Sequence, residues 1–151
     1  MHGNRTVLLV DDSENDLFLT RTAFKSAGVN YPLQEAHNGE DAIAYLKGEY
    51  SYGDRTKYPM PAVMLLDLNM PLKNGFDVLA WVRTQPDLKR LSVIILSASM
   101  RTADVERAFD LGANSFLLKP SALGELIVMI RCLRDWLQYN HFPPCNETVR
   151  R

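Results

Sequence analysis

The chain has few of the residues on which metal–thiolate and histidine-dependent sites are built. Of its 151 residues, two are cysteine and three are histidine. The histidines lie far apart in the sequence and the cysteines lack a metal-ligand spacing, so we find neither a zinc site nor a catalytic triad. Cys132 falls in a helical pattern, where we expect a small core residue. Cys145 falls in a proline-rich tail, where we expect a free thiol.

Long hydrophobic runs and an excess of one charge are also absent. No apolar run approaches the roughly 20 residues of a membrane span. The N-terminal segment MHGNRTVLLVDD has too short an apolar stretch for a signal peptide and continues directly into two acids. We therefore expect a cytoplasmic protein. The formal net charge of -1 gives no electrostatic reason to expect nucleic acid or an anionic membrane as a partner.

Five short apolar runs alternate with five helical patterns, which predicts a parallel α/β sheet with right-handed crossovers and helices on both faces. The first, third and fourth runs are continuously apolar, as is typical of strands covered on both faces. The second is mixed and indicates an edge strand. The predicted strands are Val7–Val10, Leu33–Ala36, Val63–Leu66, Val93–Leu96 and Phe116–Leu118, and the predicted helices are Glu14–Ala27, Gly39–Lys47, Gly75–Thr84, Thr102–Leu111 and Leu123–Tyr139.

Two stretches are longer than ordinary loops. Residues 48–61 (GEYSYGDRTKYPMP) form a polar connector before the third strand, and residues 140–151 form a tail that contains two adjacent prolines. We predict a single domain over residues 5–139, because a chain of this length supports one sizeable core. The tail is too short to fold alone, so we expect no output domain after residue 139 and no direct role in DNA binding.

Polar side chains stand at the carboxyl ends of four predicted strands. The first strand is followed by Asp11 and Asp12, the third by Asp67, the fourth by Ser97 and the fifth by Lys119. In open α/β sheets these ends line one crevice, where ligands bind. A single acid at a strand end is most often a turn or cap residue. The coincidence at four strands favours a functional site.

The expected chemistry of this crevice is the binding of a phosphoryl group. Three carboxylates in one place would raise one another's pKa values unless a cation neutralised them. Oxygen-only ligands suit Mg²⁺ better than zinc or copper. A hard cation, an ammonium group and a hydroxyl around one nucleophilic carboxylate is an arrangement that holds a phosphoryl group.

The segments VLLVDDSEND, LLDLNMPLKNG, VIILSAS and GANSFLLKP are similar to those of the receiver (response-regulator) domain of two-component signalling. The resemblance extends over about residues 5–138. It implies a flavodoxin-like, doubly wound sheet of five parallel strands in the order 2-1-3-4-5, with five helices in a single domain. It also implies a function as a phosphoacceptor that assists its own phosphorylation and dephosphorylation, and not as an enzyme acting on other substrates.

The resemblance implies a role for each residue at the metal site. Asp67 would be the phosphoacceptor, which attacks a phosphohistidine on a sensor histidine kinase. Mg²⁺ (or Mn²⁺) would be bound by the side chains of Asp12, Asp11 and Asp67 and by the backbone carbonyl of Asn69.

The resemblance also implies a switch beside the metal. Ser97 and Lys119 would contact the phosphoryl oxygens, and the peptide bond between Lys119 and Pro120 would be cis. Phe116 would be the aromatic switch residue, although a fixed core aromatic is the alternative. Ser97 stands where many receivers have threonine, and Phe116 where many have tyrosine.

A narrower resemblance comes from the connector and from the segments PDLKRLSVIILSAS and CLRDWLQYNHFPP. They are similar to stand-alone regulators paired with bacterial and cyanobacterial phytochromes, which are commonly dimeric. A phytochrome would then be the kinase, and a homodimer would use the fourth and fifth helices, the fifth strand and the tail. Leu133, Trp136, Tyr139 and Phe142 add apolar area there, although Trp136 could instead close the core over the first strand.

Two other functions remain open from the sequence. A phosphohydrolase of the haloacid-dehalogenase kind also uses an aspartate nucleophile with Mg²⁺. Its loop has the pattern Asp-x-Asp, and here the second position is Asn69, which cannot act as a general acid. A binding module of the same fold that is never phosphorylated is the second alternative.

Overall fold

The computed structural model describes residues 5–143, and these form a five-stranded parallel sheet in the order β2-β1-β3-β4-β5. The predicted strand order, helix number and fold class are confirmed. Cys145 and the rest of the tail from residue 144 lie outside the described residues. The strands are β1 Val7–Val10, β2 Leu33–Ala36, β3 Val63–Asp67, β4 Ser92–Ser97 and β5 Ser115–Leu118, and the helices are α1 Glu14–Ser26, α2 Gly39–Lys47, α3 Gly75–Thr84, α4 Thr102–Asp110 and α5 Leu123–Tyr139.

Apolar side chains on both faces of the central strands create two cores. β1 and β3 are buried along their whole length, and β4 is buried except at its first residue. β2 is partly exposed, as predicted for an edge strand. Residues of α2 and α3 pack on one face of the sheet, and residues of α1 and α5 pack on the other. Each fully buried leucine contributes about 1.5–3 kcal/mol, so these layers fix the strands that end at the crevice.

Residues 48–61 are folded against α2. They include a 3₁₀ turn, Tyr50–Gly53, and the rings of Tyr45, Tyr52 and Tyr58 contact one another with centroids 4.9 to 6.0 Å apart. The guanidinium of Arg55 donates to the carbonyls of Tyr45 (2.8 Å) and Leu46 (2.9 Å) at the end of α2. It thereby bonds the carbonyl of Leu46 at the helix terminus and adds a donor to that of Tyr45, which also accepts from the N–H of Gly48.

The prediction that Cys132 is a core residue is wrong, because Cys132 is exposed. The buried residues of α5 are Leu126, Ile130, Leu133 and Leu137, whose spacing of three and four residues defines the inward face of a helix. Cys132 lies outside this stripe. None of the helices described is long and apolar enough to cross a membrane.

The end of α5 is held to the start of the sheet. The Arg5 guanidinium donates to the carbonyl of Asn140 (3.1 Å) and lies 5.4 Å from the centre of the Phe142 ring. The rings of Trp136 and Phe142 meet edge-on at 5.5 Å. Phe142 packs against the core, whereas Trp136 is 39% exposed and is not part of it. The alternative that Trp136 closes the core over β1 is therefore not supported.

We expect Arg55→Met to lower the free energy of unfolding by about 2 kcal/mol, because it removes charged hydrogen bonds to carbonyls at the end of α2. Urea denaturation followed by circular dichroism would measure the change. Lys89→Met removes an exposed positive charge and serves as the control. Equal midpoints for the two variants would contradict the assignment.

Candidate functional site

The parallel register of β1 and β3 brings the acids together. Val10 lies opposite Leu66, so the residues that follow them, Asp11 and Asp67, emerge side by side. Carboxylate oxygens of Asp11, Asp12 and Asp67 lie within 4.8 Å of one another. Asp11 and Asp67 are buried, whereas Asp12 is exposed at the opening. The structure therefore brings together the three acids that the sequence placed at strand ends.

Burial dominates the electrostatics of Asp67. Its side chain is 9% exposed, and this desolvation raises the pKa of Asp67 to about 6. The positive charge of Lys119 and the backbone N–H of Asn69 act in the opposite direction, while the charges of Asp11 and Asp12 raise the pKa further. The ionised form of Asp67, at the centre of the site, would thus be stabilised by any added positive charge.

Lys119 connects β5 to the acids. Its backbone N–H donates to the carbonyl of Ser97 (2.7 Å), which fixes the chain at the end of β4. Its Nζ lies 2.8 Å from Asp11 Oδ2 and 3.7 Å from Asp67 Oδ1. Burial alone would lower the pKa of Lys119, but the hydrogen bond to Asp11 and the charges of Asp67 and Asp11 outweigh it, so the pKa is raised.

Asp16 is a fourth acid in the site, which the sequence analysis missed. Its Oδ2 lies 3.1 Å from Nζ of Lys119, and its backbone N–H donates to the Ser13 side chain, which caps α1. In the sequence, Asp16 stands three residues after Ser13, a spacing typical of a helix cap, so its position does not by itself indicate a site residue. The available signal was its place in the first turn of the helix that directly follows Asp11 and Asp12.

Ser97 and Asn69 border the acids in different ways. The Ser97 hydroxyl is almost fully buried; it donates to the carbonyl of Ser99 (2.8 Å) and accepts from the Ser99 N–H (3.2 Å). Asn69 is exposed, and its backbone N–H bonds to the Asp67 carboxylate. The hydroxyl therefore already donates a hydrogen bond, and it would have to give up this bond to donate to a new acceptor.

Phe116 lies on β5 opposite Ile95 of β4. It is partly buried and packs against the core on the α2 and α3 side of the sheet. The structure therefore places Phe116 in the strand that leads to Lys119. Its role as a switch stays a prediction.

The predicted cis peptide bond before Pro120 is wrong, because the described residues contain no cis peptide bond. The trans form is intrinsically the more stable for an X–Pro bond, by about 0.5–1 kcal/mol. The ammonium group of Lys119 reaches Asp11 and Asp16 with this trans bond, so its position in the crevice does not require the cis isomer.

The donor set fits a hard divalent cation. All the side-chain donors of the acid cluster are carboxylate oxygens, close enough together to share one ion, and one of the acids faces the opening. Mg²⁺ and Mn²⁺ prefer such ligands and retain water at the remaining positions. A cation would also relieve the repulsion between Asp67 and its two acidic neighbours.

Asp67→Asn should stabilise the metal-free protein at neutral pH. The pKa of Asp67 is about 6 in the folded chain and lower when unfolded, so the folded state binds more protons between these values. Stability contributed by this group is present at low pH and is lost as pH rises through that interval. Above about pH 6 the variant should be about 1–3 kcal/mol more stable.

Urea unfolding in EDTA at several pH values would measure this difference, which should vanish below about pH 4. Saturating Mg²⁺ should reduce it at neutral pH by stabilising the wild type. Equal stability in EDTA at neutral pH would show that burial does not destabilise the Asp67 carboxylate.

Comparison with known proteins agrees with this geometry. Residues 7–131 match the family model of the response regulator receiver domain. Response regulator Rcp1 of Synechocystis is 34% identical over 135 residues, which cover 89% of this chain and 90% of Rcp1.

Solved structures give the same result. The phosphorylated cyanobacterial phytochrome response regulator RcpA has a TM-score of 0.84 and 29% identity, covering 94% of this chain and all of that one. A response regulator in red light signaling of R. palustris has a TM-score of 0.87 and 30% identity over 93% of this chain and 99% of that one. The Mn²⁺-bound form of Rcp1 has a TM-score of 0.81 and 33% identity, with coverage of 93% and 99%.

Proposed function

Because the chain belongs to the response regulator receiver domain family, we propose that Asp67 accepts a phosphoryl group from a phosphohistidine of a sensor histidine kinase. The observation that carries this proposal is the convergence of Asp11, Asp12 and Lys119 on the buried carboxylate of Asp67. The loop position that holds the second acid in a phosphohydrolase is Asn69 here, and an amide cannot act as a general acid.

In the proposed transfer, a carboxylate oxygen of Asp67 attacks phosphorus, and the bond between phosphorus and the histidine nitrogen breaks. The electron pair of that bond remains on the imidazole. Asp11, Asp12 and Asp67, with the carbonyl of Asn69, would hold Mg²⁺ or Mn²⁺, which supplies positive charge to the phosphoryl oxygens. Lys119 keeps the Asp67 carboxylate ionised and directs an ammonium group towards the transferred group.

The new acyl phosphate would act as a switch. It adds negative charge beside Lys119, and Ser97 would exchange the hydrogen bond that it donates to Ser99 for one to a phosphoryl oxygen. Phe116 would then repack beside β4 and change the surface of α4 and β5. A local charge event would thus select between two packings of one element.

The proposed partners are a bacterial phytochrome as the kinase and a second copy of the chain, both in the cytoplasm. The phytochrome assignment is supported by the similarity to phytochrome response regulators. The dimer is supported by exposed apolar side chains on the elements proposed for the interface, since exposed apolar patches often mark interfaces. These are Phe109 on α4, Leu118 on β5, and Val128, Trp136 and Tyr139 on α5.

Asp67→Asn should abolish phosphorylation by acetyl phosphate and by autophosphorylated phytochrome kinases, because the amide is not a nucleophile. Asp110→Asn changes an exposed acid on α4 and is the control. Phosphorylated protein would be quantified by intact-mass spectrometry with Mg²⁺ present. Normal stoichiometry in Asp67→Asn would overturn the assignment, and rapid turnover of phosphate esters by the wild type would favour a phosphohydrolase.

Val128→Asp should dissociate the proposed dimer, since it places charge in the apolar face of α5. Phe18→Asp is a matched control, because Phe18 and Val128 are both 56% exposed but Phe18 lies on α1, outside the proposed interface. Light scattering would give the mass of each variant with and without phosphorylation. A monomeric wild type in both states, or equal dissociation by the two variants, would contradict the interface.

A further inference from the structure

Two non-glycine residues of the described chain have a left-handed backbone, Leu72 with φ 63° and Tyr50 with φ 55°. This region is sterically unfavourable for bulky side chains and is readily adopted only by glycine, and to a lesser extent asparagine and aspartate. Leu72 is also 92% exposed. Neither its backbone conformation nor its side chain stabilises the fold, whereas asparagine or glycine would fit the same turn at lower cost.

The loop that carries Leu72 is fixed at two places. A Cβ on Gly75 would lie 2.5 Å from the carbonyl oxygen of Asp67, and a Cβ on Gly39 would lie 2.5 Å from that of Lys73. The backbones therefore touch where only glycine fits. Asn74 and Asp77 complete the α3 capping box at the end of the same loop. The Leu72 side chain is thus presented by a rigid segment.

This loop begins at Asp67 and returns to it at Gly75. Leu72 is three residues before Gly75, so its Cα lies at most about 11 Å from that of Gly75. A protein interface of ordinary size buries about 800 Å² on each partner, which corresponds to a radius of about 16 Å. The reacting atoms must approach to about 3–3.5 Å, so an interface with a protein donor is centred near Asp67 and includes Leu72.

We propose that Leu72 is an apolar anchor for the sensor kinase, whose surface beside the phosphohistidine has an apolar pocket for the leucine side chain. The inference rests on the proposed function of Asp67. A loop whose backbone is fixed before binding loses little conformational entropy on docking, so the leucine is presented to a partner at a low cost. Strained residues concentrate at functional sites, and here the strain keeps an apolar group at the rim of the crevice.

The test compares two donors on Leu72→Asn and Tyr50→Asn. Asparagine tolerates the left-handed backbone, so both loops keep their shape, and Tyr50 is a matched control because it is 88% exposed and lies in the connector. The donors are a panel of purified, autophosphorylated bacterial phytochrome kinases and acetyl phosphate. We expect Leu72→Asn to lower kcat/KM with the kinase roughly tenfold, mainly through KM, with the acetyl phosphate rate unchanged.

Several outcomes would overturn the inference. Leu72→Asn could match the wild type with the kinase, or lose the same factor with acetyl phosphate, which would show that Leu72 only shapes the site. A fall in mass by light scattering would show that Leu72 meets a second copy of the chain. Transfer from no kinase, with acetyl phosphate still active, would also refute it. Failure of acetyl phosphate to phosphorylate the wild type contradicts the proposed function itself, and the inference falls with it.

Discussion

The desolvated carboxylate of Asp67 is the constraint around which the site is arranged. Burying an ionised acid is costly unless opposite charge compensates for it, and two further acids increase the cost here. Lys119 provides part of the compensation at 3.7 Å, but it also bonds to Asp11 and Asp16. The site therefore retains a deficit of positive charge. That deficit is the physical reason why a cation fits there.

The positions of the acids could be predicted because they follow from topology. Apolar runs identified the strands, and parallel strands of an open sheet end at one edge, so Asp11, Asp67 and Lys119 had to converge. Asp16 was missed because a helix cap explained it fully. The prediction for Cys132 failed because the helical pattern does not fix which residues of α5 face the core. Leu133 faces inward, and the neighbouring Cys132 is exposed. The sequence also gave no sign of the backbone conformation of Leu72, which depends on contacts between distant parts of the chain.

The backbone beside Asp67 is rigid, whereas the hydrogen bonds at Ser97 can be replaced. Around Asp67 the backbone is fixed by close contacts at Gly39 and Gly75, so that the reacting group is held in place. At the end of β4, by contrast, the Ser97 hydroxyl bonds only to the backbone of Ser99, two residues away, and these bonds could be replaced by bonds to another group. β5 pairs with β4 and carries Leu118, one of the exposed apolar side chains of the proposed interface. Rigid placement of the acids and replaceable hydrogen bonds beside them are compatible with the proposed phosphorylation switch.

The pairing of β1 with β3 has a consequence for folding. Asp11 and Asp67 are adjacent only because Val10 lies opposite Leu66. A slip of one residue would turn the side chains of one strand to the other face and separate the acids. An ion that needs both carboxylates stabilises only the chain with correctly aligned strands, in proportion to the logarithm of its concentration. The divalent cation would thus stabilise the correctly paired sheet over chains with a shifted register, independently of phosphorylation.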